Sequence, residues 1–154
     1  MKSDSQITSS QLGLGDMDPA EFRAAAHRVA DIVADYLETV GSRRVLPDFR
    51  PGDGRKRLPE EPPASPEPLD AILADYLSLV EPNITHWQHP GFMAYFSSVA
   101  SGPGILGEWL AAGLNSNVML WRVAPISTEM EQVVVGWLRR MLGLPASFDG
   151  MFTD

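Results

Sequence analysis

The sequence contains no cysteine and only two lysines, Lys2 and Lys56, among its 12 basic residues. The lack of cysteine excludes disulfides and thiolate metal sites and favours a cytoplasmic location. With 20 acidic residues the formal net charge is −8, which argues against nucleic-acid binding because that requires a basic face. No apolar run approaches the roughly 20 residues that span a bilayer, so we expect no membrane association.

Apolar residues recur at three- and four-residue spacing in four segments, which predicts a mainly α-helical chain without strands. Asp18 is a suitable cap, and Pro19 suits the first position of a helix. The third and fourth segments likewise begin at a proline. The predicted helices run from Pro19 to Gly41, from Ser65 to Pro82, from Pro103 to Asn115 and from Pro125 to Gly143.

The remaining segments suggest how the chain is divided. Residues 1–16 lack periodicity and predict a disordered tail. Residues 42–64 are rich in proline and glycine, which leaves little room for regular structure, and Arg55-Lys56-Arg57 is interpreted as a solvated part of this connector. So long a connector is unusual in a compact domain. It is either disordered or lets the first helix pack elsewhere, on another subunit. The helices also offer more apolar surface than they can bury together, which indicates part of a larger protein.

Residues 86–98 concentrate aromatic and polar side chains. Pro90-Gly91 excludes a continuous helix, so we interpret this stretch as an irregular pocket wall. The His86-x-x-His89 spacing could place two imidazoles on a metal. It has no third ligand at a fixed spacing, and a stacking or hydrogen-bonding role is favoured.

Other candidate motifs have simpler interpretations. Ser97 and Ser98 lack the glycines of a nucleophile elbow, and Ser101-Gly102-Pro103-Gly104 is interpreted as the turn before a helix. Glu129 and Glu131 are expected to complement a helix dipole. Core or interface packing is the default role for the remaining tryptophans, Trp109, Trp121 and Trp137.

Several motifs, in order, resemble one known family. His86-Trp87 and His89-Pro90-x-Phe92-x-Ala94-Tyr95-Phe96 are similar to the substrate-side segment of the group II pyridoxal-phosphate decarboxylases, the aromatic-L-amino-acid decarboxylase family. The resemblance continues through the segments around Leu110 to Asn115, Met119 to Arg122, Pro125 to Glu131 and Trp137 to Pro145. It spans roughly residues 17–154.

The resemblance implies an N-terminal helical arm followed by the start of the large domain of an α/β fold-type I enzyme that uses pyridoxal 5'-phosphate. Residues 17–84 would form a dimerisation arm with the connector 42–64, and residues 85–154 would form the active-site wall and the start of the large domain. Homodimers with interlocking arms are implied. The implied substrate-binding residues are Trp87, Tyr95, Phe96 and Ser98, and Asn117 and Met119 would reach the pocket of the partner subunit.

Such an enzyme requires a lysine for the Schiff base with its cofactor, and neither Lys2 nor Lys56 matches a catalytic position of the family. We therefore expect this chain to be the N-terminal part of a decarboxylase of aromatic L-amino acids, inactive alone and completed by residues beyond Asp154. The alternatives are a glutamate-type decarboxylase, an aromatic aldehyde synthase and a non-catalytic helical interaction module.

Overall fold

A computed structural model describes residues 17–96, 98 and 100–153, and within these ranges the regular structure is helical, without strands. The predicted tail, residues 1–16, lies outside the described residues, as do Lys2 and Ser97. The chain separates into two compact units, Met1–Val99 and Ala100–Asp154. The α-helices are α1 (Pro19–Thr39), α2 (Asp53–Arg57), α3 (Leu69–Asp75), α4 (Gly102–Leu114) and α5 (Pro125–Met141), and the single turns are 3-10 at Val40–Ser42 and Glu81–Asn83 and π at Tyr76–Val80.

Local capping marks the start of α1 and both ends of α4. The Asp18 carboxylate accepts a hydrogen bond from the Ala20 backbone N–H at 2.8 Å, directly before α1. The Ser101 hydroxyl accepts one from the Gly104 N–H at 3.2 Å. The turn predicted at this position, directly before α4, is therefore confirmed. Asn115, with a φ of 45°, ends α4 in the left-handed conformation that asparagine tolerates.

The second predicted helix begins later than its sequence suggests. It starts at Leu69 rather than at Ser65, so the predicted start is wrong. Pro68 is itself extended, with a φ of −60° and a ψ of 140°, and is the cap residue of α3. A proline also disfavours helical backbone in the residue before it. At its other end α3 widens into the π turn, which periodicity alone did not predict.

The connector also contains more order than predicted, because α2 lies within it. Gly52 adopts a φ of 93°, which favours glycine, and the Asp53 carboxylate accepts a hydrogen bond from the Arg50 N–H at 3.0 Å. Arg57 donates to the carbonyl of Ser78 at 3.2 Å. Arg57 is thereby attached to the π turn, while all three residues of the basic cluster are exposed, as the solvated interpretation predicted.

Few apolar side chains are buried in either unit. Among the described residues they are Ala25, Val40, Phe92 and Ala124. On the apolar stripe of α1, Phe22 is 56% exposed, and on that of α5 Trp137 is 50% exposed. The predicted excess of apolar surface is thus confirmed within each unit. No helix in the described ranges combines the length and apolar character needed to cross a membrane.

Candidate functional site: an aromatic stack on a buried polar cluster

The aromatic stretch folds as consecutive turns within the first unit, as Pro90-Gly91 predicted. The His89 N–H donates to the carbonyl of His86 at 3.0 Å, and the Phe92 N–H donates to the carbonyl of His89 at 2.9 Å. The Gly91 N–H donates to the Nδ1 atom of His89 at 2.8 Å. These bonds define a local scaffold from His86 to Phe92.

Three rings of this stretch form an aromatic stack, which consists of Phe92, Trp87 and Tyr95. The Trp87 ring lies 4.8 Å from that of Phe92 and 5.7 Å from that of Tyr95, and the planes of Trp87 and Tyr95 differ by only 7°. Phe92 is buried, Trp87 is half exposed and Tyr95 is 85% exposed. The stack therefore rises from the interior of the unit and presents an aromatic surface outward.

The backbone of Tyr95 is strained. Its φ of 57° lies in the left-handed region, which costs a residue with a Cβ about 1–2 kcal/mol. Such strain is concentrated at binding and catalytic sites. The conformation marks Tyr95 as a candidate functional residue independently of its ring type.

The structure brings together some of the predicted site residues. Trp87 and Tyr95 are in contact, whereas Phe96 and Ser98 are exposed beyond the stack. Asn117 and Met119 lie in the second unit, where the Asn117 side-chain oxygen accepts a hydrogen bond from the Met119 N–H at 2.8 Å. This turn leaves Met119 77% exposed.

His86, which directly precedes Trp87 in the chain, belongs to a polar cluster formed by Tyr36, Arg43, Glu81 and His86. The Tyr36 hydroxyl is 3.1 Å from the Nδ1 atom of His86, and Arg43 pairs with Glu81 at 2.6 Å. The Arg43 guanidinium also lies over the Tyr36 ring, 5.3 Å from its centroid, in a cation–π contact. Only 3% of His86 and 5% of Glu81 are exposed. The favoured stacking or hydrogen-bonding role of His86 is confirmed.

Sequence reasoning missed most of this cluster. It gave no polar role to Tyr36, Arg43 or Glu81. The sequence does contain one sign of the cluster. Tyr36 stands among aliphatic residues, and a buried tyrosine hydroxyl normally requires a polar partner.

Burial is the main influence on the pKa values of two members of this cluster, His86 and Tyr36. Burial, and then the charge of Arg43, lowers the pKa of His86 below its ordinary value of 6.5, although Glu81 acts in the opposite direction. The pKa of Tyr36 is raised, again chiefly by burial. Both side chains are therefore neutral near pH 7 and joined by a neutral hydrogen bond.

Acidification is expected to destabilise the protein through His86. Because its native pKa is lowered, the unfolded state binds the proton first as the pH falls below about 6.5, and the free energy of unfolding then decreases until native His86 is also protonated. Urea unfolding at about pH 7.5 and about pH 5.5 measures this. The non-titrating variant His86→Asn should show a smaller difference, and an equal difference in both proteins would contradict the assignment.

The two glutamates of α5 have roles other than the predicted one. Glu129 accepts a hydrogen bond from the Trp121 indole N–H at 3.0 Å, and Glu131 accepts one from the Phe152 N–H at 2.7 Å. Both lie beyond the first turn of α5, where a helix dipole has little effect. They attach the segments before and after α5 to the helix.

Lys56, the only lysine within the described residues, does not fit a cofactor-binding role. Its side chain is 78% exposed and lies 3.5 Å from Asp53 on α2. A cofactor-binding lysine is normally enclosed and desolvated, which lowers its pKa for nucleophilic attack.

Comparison with known proteins identifies the family to which this chain belongs. The sequence profile described as the pyridoxal-dependent decarboxylase conserved domain matches residues 51–153, which include the aromatic stack, Asn117 and Met119. The chain belongs to the pyridoxal-dependent decarboxylase family. The resemblance drawn from separate motifs is confirmed, and the cofactor of the family is pyridoxal phosphate.

Relatives within this family include several enzymes named for aromatic compounds. Tyrosine decarboxylase 3 of Petroselinum crispum is 44% identical over 143 residues, and a phenylacetaldehyde synthase of a Rosa hybrid cultivar is 45% identical over the same length. The crystal structure of Catharanthus roseus tryptophan decarboxylase in complex with L-tryptophan matches 88% of this chain at a TM-score of 0.83 and 41% identity. The chain spans about 28% of the length of each of these proteins.

Proposed function

We propose that this chain is the N-terminal portion of a pyridoxal 5'-phosphate-dependent decarboxylase that converts an aromatic L-amino acid into its amine and carbon dioxide. The observation that carries the proposal is the outward-facing stack of Trp87 and Tyr95 in a member of this family. When bound, the cofactor accepts the electron pair left by the departing carboxylate. The lysine that holds it would belong to other segments of the whole protein.

The proposed substrate wall consists of Trp87, Tyr95, Phe96 and Ser98. The parallel rings of Trp87 and Tyr95 and the fully exposed ring of Phe96 offer offset stacking and edge contacts to an aromatic side chain. The exposed Ser98 hydroxyl would donate a hydrogen bond to a polar group of the substrate. These contacts orient the substrate and exclude water from one side of it.

Charge favours an aromatic substrate over an acidic one. A glutamate-type substrate requires a cationic partner for its side-chain carboxylate, and residues 86–98 contain neither arginine nor lysine. His86 does not supply this charge because it is buried and holds Tyr36.

We further propose that two copies form a homodimer in the cytoplasm. The exposed apolar stripe of α1 would pack on the partner subunit, and the length of the connector permits this. Asn117 and Met119 would contribute to the neighbouring pocket, since the Asn117 turn holds Met119 outward. The lack of cysteine is consistent with a reducing compartment.

An aldehyde synthase is the second candidate function, because the phenylacetaldehyde synthase relative is as similar as the tyrosine decarboxylase. A test on the whole protein separates the two. The protein purified with the cofactor is expected to release carbon dioxide and amine in equal amounts from L-tyrosine, L-tryptophan or L-phenylalanine, but not from L-glutamate. Mass spectrometry of the products measures this.

The other possible results of this assay point to different functions. Aldehyde in place of amine would establish the second function, and turnover of L-glutamate alone would contradict the proposed substrate class. Absence of bound cofactor and of any product would favour a non-catalytic helical module. The isolated chain is expected to be inactive in the same assay.

A further inference from the structure

The turn that carries the aromatic stack is held at both ends by buried residues. His86 begins the turn and is 3% exposed, and Phe92 ends it and is 9% exposed. Trp87 directly follows His86 in the chain and packs against the ring of Phe92. The position of the Trp87 ring therefore depends on how His86 is held.

His86 is held from two sides by the N-terminal part of the first unit. Its backbone N–H donates to the carbonyl of Val45 at 3.0 Å, and its Nδ1 atom is 3.1 Å from the Tyr36 hydroxyl. The two rings also lie close, with centroids 5.6 Å apart. Arg43 in turn holds the face of the Tyr36 ring. A chain of contacts thus runs from α1 to the aromatic stack.

We propose that Tyr36 is a positioning residue that sets the geometry of the Trp87–Tyr95 pair through its hydrogen bond to His86. This inference rests on the proposed function, because the pair matters as the wall that binds the substrate ring. Tyr36 does not touch the substrate in this arrangement. Its loss weakens substrate binding while the chemical step proceeds as before.

The variant Tyr36→Phe of the whole enzyme removes the hydroxyl and keeps the ring under Arg43. We expect KM for the aromatic amino acid to rise by about fivefold to tenfold, because a misplaced aromatic contact and an unpaired imidazole nitrogen both weaken the site. We expect kcat to change by less than about twofold, because the lost interaction acts equally on the bound substrate and the transition state. Ser78→Ala is the control, since it removes an exposed hydroxyl of the same unit that bonds only locally, to the carbonyl of Asp75 at 3.4 Å, and should leave both constants unchanged.

A double-mutant cycle distinguishes positioning from general destabilisation. If Tyr36 acts through the stack, the effects of Tyr36→Phe and Trp87→Ala on KM are not additive. The tryptophan band of the near-UV circular dichroism spectrum, at wavelengths where tyrosine does not absorb, should also change in Tyr36→Phe, and this change should vanish in the Trp87→Ala background. Additive effects on KM, or an unchanged tryptophan band, would overturn the proposal.

A second pair of variants covers the case in which Tyr36→Phe fails to fold. His86→Asn places a hydrogen-bonding group near the position of Nδ1, whereas His86→Leu does not. The asparagine variant is expected to keep KM closer to the wild-type value than the leucine variant, and equal KM values would overturn the proposal. The dichroism measurement needs no turnover, so it tests this inference even if the wild-type protein proves inactive on aromatic amino acids.

Discussion

Replacing Trp87 with alanine in the whole enzyme is expected to lower kcat/KM for an aromatic amino acid by roughly 10- to 100-fold. The Trp87 ring contacts both Phe92 and Tyr95, so its removal deprives Tyr95 of its stacking partner as well as deleting one wall of the site. Loss of an aromatic contact surface of this size costs about 1.5–3 kcal/mol, and each 1.4 kcal/mol or so corresponds to a factor of about ten. Steady-state kinetics with L-tyrosine and L-tryptophan measure the effect.

Two conservative variants make this result specific. Trp87→Phe keeps a ring in the stack and should retain most of the activity. Trp137→Phe makes the same chemical change on α5, at a side chain of similar exposure, and should leave kcat/KM within about twofold of the wild-type value. Equal losses in Trp87→Ala and Trp137→Phe would show that the stack has no special role.

The second large effect is expected on stability, from the variant Arg43→Met. This substitution removes the ionic partner of the Glu81 carboxylate, whose side chain is only 6% exposed. Breaking a buried ion pair on one side costs about 3–5 kcal/mol. We expect a value near the lower end, about 3 kcal/mol, because the Arg43 side chain is 27% exposed and its Nε atom has no hydrogen-bond partner. The midpoint of urea unfolding at constant m-value measures this loss.

The chain supplies a matched control for this substitution. Arg28 pairs with Asp70 at 3.2 Å, but both side chains are largely exposed, so Arg28→Met should cost no more than about 1 kcal/mol. The double variant Arg43→Met/Glu81→Leu replaces the buried pair with apolar side chains and should recover most of the lost stability. If Arg28→Met and Arg43→Met cost the same, burial does not determine the strength of the Arg43–Glu81 pair.

The parts of the fold that sequence predicted well are those governed by neighbouring residues. The starts of α1 and α5 follow from Pro19 and Pro125, and the end of α4 follows from Asn115. The start of α3 at Leu69, rather than at the predicted Ser65, has an equally local cause in Pro68. Capping and proline geometry act over three or four residues, which is the range over which a single sequence is informative.

The polar cluster could not be predicted in this way. Its members lie at positions 36, 43, 81 and 86, so no periodic pattern joins them, and their contacts arise only when α1 packs beside the turns at 81–92. The stack was partly predictable, because its rings are crowded into one short stretch. That Phe92 turns inward while Phe96 turns outward depends on the hydrogen bonds of the turns and on the left-handed backbone of Tyr95.

The scarcity of buried apolar side chains in the second unit bears on how this polypeptide can be handled. On α4 and α5, hydrophobic residues such as Leu110, Leu114 and Met141 are more than 70% exposed. Large uncovered hydrophobic areas lead polypeptides to aggregate and to engage chaperones. Produced by itself, this chain would self-associate and bind chaperones, so the whole protein is the better material for the measurements proposed above.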